Sequence, residues 1–366
     1  MAVLCGHAAR AVFGGSRSSP CGRRRQSRKG GRRPCPGAPG TASRSGPSPA
    51  AGAAAIAAIL ASVAPIFGII LLGWLAARLR AFDEAATRGL SLFAFNVAIP
   101  VMLLRTLAQA DLPPRPEWAL VLTYFACTGI NFAVAALLAR GLLGRRGAEP
   151  ALFGIAGAFS NVAVLGVPVI LQTYGPDAAV PLSLLLAFHS ATIFTLTTIV
   201  AEIGLGGQLA PTVLLRNIGR GLVTNPMLWG IAAGVVLGIS HLRLPPVLDR
   251  MAELLAAASL PAALFALGAN LSRFRLLGGL GVATGLALLK LVLQPLLVAA
   301  AVHLVGLSPM AQSVAVTVAA LPTGINAYLF AVRYQAAVAE SSSTILVSTL
   351  LSILTLGALM ALLRPG

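Results

Sequence analysis

Phe159-Ser160-Asn161-Val162-Ala163-Val164-Leu165-Gly166-Val167-Pro168 and Ala320-Leu321-Pro322-Thr323-Gly324-Ile325-Asn326 decide the reading of this chain. Each stretch sets Pro, Gly and Asn inside an apolar run that is otherwise long enough to cross a membrane as a helix. Proline removes a backbone donor and collides with the turn before it. Hydrocarbon offers nothing to hydrogen-bond the carbonyls this frees. A break of this kind therefore survives only inside protein or beside a water-filled cavity.

Working outward, the surroundings are those of a membrane protein. Of 366 residues 57% are hydrophobic and 10% charged, with a mean hydropathy of +0.87; soluble domains run to about 25% charged. The apolar residues fall in runs of roughly twenty or more, the length that spans about 30 Å of hydrocarbon as an α-helix. A β-barrel would show short alternating segments instead. Ten spans are predicted, at about 53–77, 88–107, 118–139, 151–172, 178–203, 225–241, 251–271, 277–306, 309–332 and 341–363. Turn signals such as Gly175-Pro176-Asp177, Leu244-Pro245-Pro246 and Ser308-Pro309 separate several of them.

The formal net charge of +17 is unevenly placed: ten Lys/Arg and no acid lie in residues 1–50, so the remainder carries 17 − 10 = +7. That tail is rich in Arg, Gly, Ser and Pro, has little to bury, and is predicted to be disordered. Three readings fit it: an organellar transit segment, a basic cytoplasmic tail, or an over-long reading frame with the functional start near Ala51–Val63. Because the charge sits there, pI says little about nucleic acid, and no nucleic-acid-binding signature is visible. Cys5, Cys21, Cys35 and Cys127 have no CxxC spacing, so neither a metal site nor a disulfide framework is expected. No cofactor is expected either.

Positive charge in the short loops orients the spans. Arg78, Arg80, Arg88, Arg140, Arg145, Arg146, Arg216, Arg220, Arg273, Arg275 and Arg333 fall on one side, eleven against the five of Arg105, Arg115, Arg243, Arg250 and Arg364. The richer side is expected to be cytoplasmic, which turns both ends of the helical region outward; the basic tail argues the other way. Ten spans divide into two sets of five, 53–203 and 225–363, joined by a short central loop at 204–224. An odd number per set inverts the second relative to the first, so span 4 matches span 9, the two broken ones. Spans 5 and 10, around His189-Ser190-Ala191-Thr192 and Ser341-Ser342-Ser343-Thr344, are both hydroxyl-rich. Broken helices at matching places in two halves point to the midplane site of a secondary transporter.

Six segments in order resemble the auxin efflux carrier family, the bacterial and plant transporters related to PIN proteins, over about residues 56 to 363. They are Phe95-Asn96-Val97-Ala98-Ile99-Pro100, Ser160-Asn161 with Gly166-Val167-Pro168, Asn225-Pro226, Leu260-Pro261-Ala262-Ala263-Leu264-Phe265-Ala266-Leu267-Gly268, Leu321-Pro322-Thr323-Gly324, and Ser348-Thr349-Leu350-Leu351-Ser352. The resemblance implies a fold similar to the bile-acid sodium symporters, with two inverted five-helix repeats. It also implies spans 4 and 9 crossing at their prolines, a scaffold bundle and a moving bundle, and a small organic anion such as indole-acetate, malonate or malate as cargo. A homodimer is implied by resemblance alone. The long hydrophilic loop many plant members carry between spans 5 and 6 is missing here. A bacterial inner or plasma membrane is the expected location.

The residues expected to bind substrate are Asn161, Gly166, Pro168, Pro322, Thr323, Gly324 and Asn326. Half-helix N-termini at the crossing suit a carboxylate, and carbonyl ends suit a cation. Two readings stay open for Asn161 and Asn326: contact with substrate, directly or through water, or satisfaction of carbonyls freed by the prolines. Lys290, mid-span with Gln294 one turn on, either serves the anion or its coupling, or is a scaffold lysine bonded to carbonyls. His189 is a proton relay or a helix–helix contact. Asn96 and Pro100 are expected to line the cavity. The coupling ion is open among proton, sodium and membrane potential alone. The rival readings are a sodium-coupled symporter of the bile-acid type and a channel or receptor on the same fold. An enzyme is not expected: the GxxxxGK[ST] and HExxH patterns are both missing, as is a GxSxG setting.

Overall fold

The computed structural model describes residues 49–110, 112, 116–207, 211–274 and 279–362, and its account of side chains begins at Ala64. Residues 1–48, nearly all of the predicted tail with Cys5, Cys21 and Cys35, lie outside the described residues, as do Arg115, Arg275 and Arg364. The described residues form one compact unit.

Every regular element among the described residues is helical. Helix α1 covers Pro49–Arg78; α2 (Glu84–Phe93) runs through a π-helical turn at Ala94–Ala98 into α3 (Ile99–Gln109); α4 is Trp118–Gly141. Helix α5 (Glu149–Ala158) stops at a break, and the chain resumes in a π-helical turn at Val162–Gly166 and α6 (Val167–Tyr174). Then come α7 (Ala179–Gly204), α8 (Pro211–Val223), α9 (Pro226–Ile239) and α10 (Pro246–Leu271). Helix α11 (Leu280–Leu288) joins α12 (Gln294–Val305) through a third π-helical turn at Leu289–Leu293. Helix α13 (Pro309–Ala320) ends at the second break, before α14 (Asn326–Tyr334) and α15 (Val338–Leu362).

Among the described residues, six helical rods are long and apolar enough to cross a membrane: Glu84–Gln109, Trp118–Gly141, Pro176–Gly204, Pro246–Leu271, Leu280–Val305 and Val338–Met360. Shorter apolar helices cover Ala64–Arg78, Val162–Tyr174, Pro226–Ile239 and Pro309–Ala320. This is a polytopic, all-helical membrane architecture.

The π-helical turns have one local cause. Pro100, Pro168 and Pro295 each stand at the start of the α-helical segment after such a turn. A proline inside a rod cannot donate to the carbonyl a turn before it and its ring presses on that turn. Widening the preceding turn relieves the clash and keeps the rod continuous. So proline in this chain does not by itself break a helix, and Pro168 lies inside a continuous helical run. The first break falls earlier, at Phe159–Asn161, and the second spans Leu321–Ile325. The expectation that both broken spans cross at their prolines is thereby corrected for the first, and holds for Pro322. The predicted central loop at 204–224 is also more structured than its composition promised: it carries α8, with Leu215 and Val223 exposed beside Arg216 and Arg220.

Two helix pairs pack backbone to backbone through glycine. A Cβ on Gly73 of α1 would overlap the Phe265 carbonyl of α10, and one on Gly268 of α10 would overlap the Ile70 carbonyl of α1. Along α9, Gly230, Gly234 and Gly238 face the carbonyls of Pro100, Leu104 and Leu107 on α3 in the same way. Small residues allow this approach where lipid gives helices no hydrophobic reason to associate. The side chain of Arg105 on α3 adds a half-buried bidentate pair to Asp249 of α10, at 2.8 and 3.1 Å. Gly268→Leu is expected to leave little monodisperse protein in detergent. Gly285→Leu, at a position open to its surroundings, is expected to purify as wild type; equal melting temperatures for the two would contradict the packing.

Candidate functional site

The site is built where the two breaks meet. The backbone N–H of Asn161 donates to the Pro322 carbonyl at 2.9 Å, and that of Gly324 donates to the Phe159 carbonyl at 3.0 Å. These two bonds bracket an antiparallel bridge between Ser160 and Thr323. The breaks thus satisfy part of each other's backbone, which a break in a lone helix within hydrocarbon cannot do. Gly324 is required by the crossing, since a Cβ there would press on the Phe159 ring, 2.6 Å from its nearest atom.

Ending a helix inside the molecule leaves its last carbonyls bare, and four side chains deal with them. Thr323 Oγ1 donates to Ala156 O at 2.8 Å, and Asn131 Nδ2 from α4 donates to Gly157 O at 2.7 Å, both at the end of α5. Lys290 Nζ, from the π-helical turn between α11 and α12, donates to Ala319 O at the end of α13. His189 Nε2 from α7 bonds Ser160 O at 3.1 Å. A carbonyl can only accept, so Nε2 carries a proton here, and for Nδ1 the described residues offer no partner. Ser348 of α15 accepts from the Thr323 N–H at 3.1 Å, and Tyr124 OH lies 3.4 Å from Ser160 Oγ. Asn131, Ser160, Lys290, Gln294, Thr323 and Ser348 are fully buried.

The far sides of the breaks are less committed. Among the described residues, the N–H groups of Ala163 and Val164 at one half-helix start, and of Ile325 and Asn326 at the other, have no acceptor. The side chain of Asn161 makes no capping bond, although it precedes the turn that opens the second half of its span. Neither its amide nor that of Asn326 bonds another described residue. The two asparagines are therefore not what satisfies the freed carbonyls.

The predicted residues divide as follows. Asn161, Pro322, Thr323 and Gly324 meet at the crossing, with Asn326 opening α14 beside it. Gly166 and Pro168 are buried in the run that leaves it, Gly166 facing the Leu321 side chain. His189 and Lys290 reach it through the carbonyls of Ser160 and Ala319. Gln294 stands behind it, its Nε2 donating to Thr128 Oγ1 at 3.2 Å and its Oε1 lying 3.5 Å from Asn131 Nδ2. Asn96 and Pro100 instead line a groove on the α3–α9 pair with Trp229 and Gly230, and no hydrogen bond joins them to the crossing. Asn131 is the residue that sequence reading passed over. Its signal was a lone amide in the middle of the apolar run of span 3, the same signal that drew attention to Lys290.

An all-helical polytopic chain whose broken helices meet at a buried polar crossing has the make-up of a membrane transporter. Residues 58–360 match the family described as "Membrane transport protein", and the chain belongs to that family, the auxin efflux carriers. It is 33% identical to the "Putative malonate transporter" of Rhizobium meliloti over 83% of this chain and 95% of that protein. It is 26% identical to an "Uncharacterized transporter" of Methanothermobacter thermautotrophicus, over 81% of this chain and 95% of that one. It is 24% identical to "Auxin efflux carrier component 8" of Arabidopsis thaliana, over 75% of this chain and 89% of that one. Family and relatives alike indicate an integral membrane transporter of a small molecule rather than an enzyme.

Proposed function

We propose that the protein is a secondary carrier for a small organic anion, working by alternating access around the crossing of its two broken helices. The observation that carries this is the crossing itself, with uncommitted N–H groups and the free amides of Asn161 and Asn326 at the starts of its two half-helices. Amide donors backed by the positive ends of helix dipoles attract a carboxylate. The names of the relatives, one with malonate and one with auxin, agree in charge and differ in size. An inside-negative potential drives anion export with about 2.3 kcal/mol per charge per 100 mV, so no coupling ion is required for outward flow.

Two inverted repeats, residues 53–203 and 225–363 joined at 204–224, are part of the same proposal. Asn131 donates to Gly157, the last residue but one of α5, and Lys290 donates to Ala319, the last but one of α13. Inversion exchanges span 3 with 8 and span 4 with 9, which makes these one contact made twice. The glycine-packed pairs α1–α10 and α9–α3 are exchanged in the same way. They form the scaffold bundle of the proposal, and the helices around the crossing form the moving one.

The test is uptake of labelled malonate, malate and indole-acetate into proteoliposomes at imposed potentials, with sodium present and replaced by an organic cation. Transport of at least one anion without sodium is expected. Absolute dependence on sodium would favour the bile-acid type of symport, and no movement of any of the three under any gradient would end the proposal.

A further inference from the structure

Beside the crossing, between α7 and α14 on one side and α8 and α9 on the other, lies a cavity of about 430 Å³. We infer that it is an entry site for the carboxylate of the transported anion, separate from the crossing, with Arg333 as its cation. This rests on the carrier reading above.

Arg333 lines the cavity and is exposed. Arg333 pairs with no carboxylate among the described residues; other exposed arginines such as Arg140 share that, but Arg333 is the one that lines this cavity. The nearby acid, Glu202, accepts instead from Tyr334 OH at 3.1 Å, while the guanidinium of Arg333 sits 5.7 Å from the Tyr334 ring centre. A guanidinium held on a ring face with its N–H fork unengaged is built for bidentate contact with a carboxylate. Ser190 and Thr195 of α7 also line the cavity, on the same side as Arg333, and neither hydroxyl bonds another described residue. Phe194 and Phe330 supply apolar wall between them. Phe194 also connects the cavity to the crossing: its ring lies 5.0 Å from that of Phe330 and 5.3 Å from that of Phe159, the first residue of the break. One cation, two hydroxyls and two ring faces describe a site for a carboxylate head on a small body, one step before the asparagines.

The experiment has two arms. In proteoliposomes of fixed sidedness, Arg333→Gln is expected to raise KM for anion leaving from the Arg333 side at least tenfold while the maximal rate changes less than twofold. Arg333→Lys is expected to fall between, and Arg140→Gln, an exposed arginine predicted on the same side, to match wild type. Separately, Thr195→Cys, in a chain with Cys5, Cys21, Cys35 and Cys127 changed to Ser, is labelled with a maleimide. Saturating malonate or indole-acetate is expected to slow that labelling at least threefold, and this arm reads binding whether or not transport is found. An unchanged KM in Arg333→Gln, or labelling indifferent to both anions, overturns the entry site. If wild type moves no carboxylate, the carrier reading falls and the labelling arm alone decides the site.

Discussion

Lys290→Ala is expected to destabilise the protein more than any other single side-chain truncation at the crossing, while Lys290→Met recovers most of the loss. Lys290 is fully buried and its amine ends on the Ala319 carbonyl. Truncation to alanine empties the space of its four-carbon stem, a change that costs about 2–5 kcal/mol for side chains of this size. It also strips the partner from a buried carbonyl at a helix end, worth about 1–3 kcal/mol more. Methionine refills the volume with a flexible apolar chain, so only the second cost remains. Thermal unfolding in detergent reads the difference: a large drop for Lys290→Ala and a much smaller one for Lys290→Met. Equal drops would mean that the amine, rather than the stem, carries the whole effect; two unchanged melting temperatures would mean that Lys290 holds nothing together. Transport by Lys290→Met then bears on the two roles considered for this residue. A folded, active variant leaves Lys290 as a cap on α13, and a folded, inactive one gives the amine a part in the carrier's cycle.

The spans and the two breaks were legible because membrane helices must be long, apolar and internally bonded, and Pro-Thr-Gly or Ser-Asn inside such a run stands out. The exact point of the first break was not. Pro168 drew the eye, yet a π-helical turn absorbs it, as it does Pro100 and Pro295, and the chain opens instead at Phe159–Asn161, where no proline stands. Helix α8 was hidden by its own composition, since an amphipathic helix with Arg216, Arg220 and two glycines reads as a loop to a search for apolar runs. Asn131 carried the same mid-span signal as Lys290 and was passed over. Arg333 read as one more loop arginine, because the cavity it lines is a fact of three-dimensional packing that spacing along one chain does not encode.

Asn161→Ala and Asn131→Ala are expected to part company, although both remove a buried amide within reach of the same crossing. The Asn131 amide bonds the Gly157 carbonyl at 2.7 Å, so its loss leaves an end of α5 unsatisfied and lowers stability by about 1–3 kcal/mol. The Asn161 amide bonds no described residue and makes no cap, so its loss should leave the melting temperature within a degree or two of wild type. Transport is expected to respond in the reverse order. Asn161→Ala should cut anion uptake at least tenfold, about 1.4 kcal/mol or more of lost interaction, because the amide's only remaining partner is the cargo or water held with it. Asn326→Ala, equally uncommitted at the other half-helix, should behave like Asn161→Ala. The two assays, melting temperature and proteoliposome uptake, are made on the same purified samples. An Asn161→Ala protein that melts normally and transports normally would remove the asparagine from the site and shift attention to the N–H groups of Ala163, Val164 and Ile325. One that melts early would show that the amide holds the fold together, and the distinction drawn between the two asparagines would be wrong.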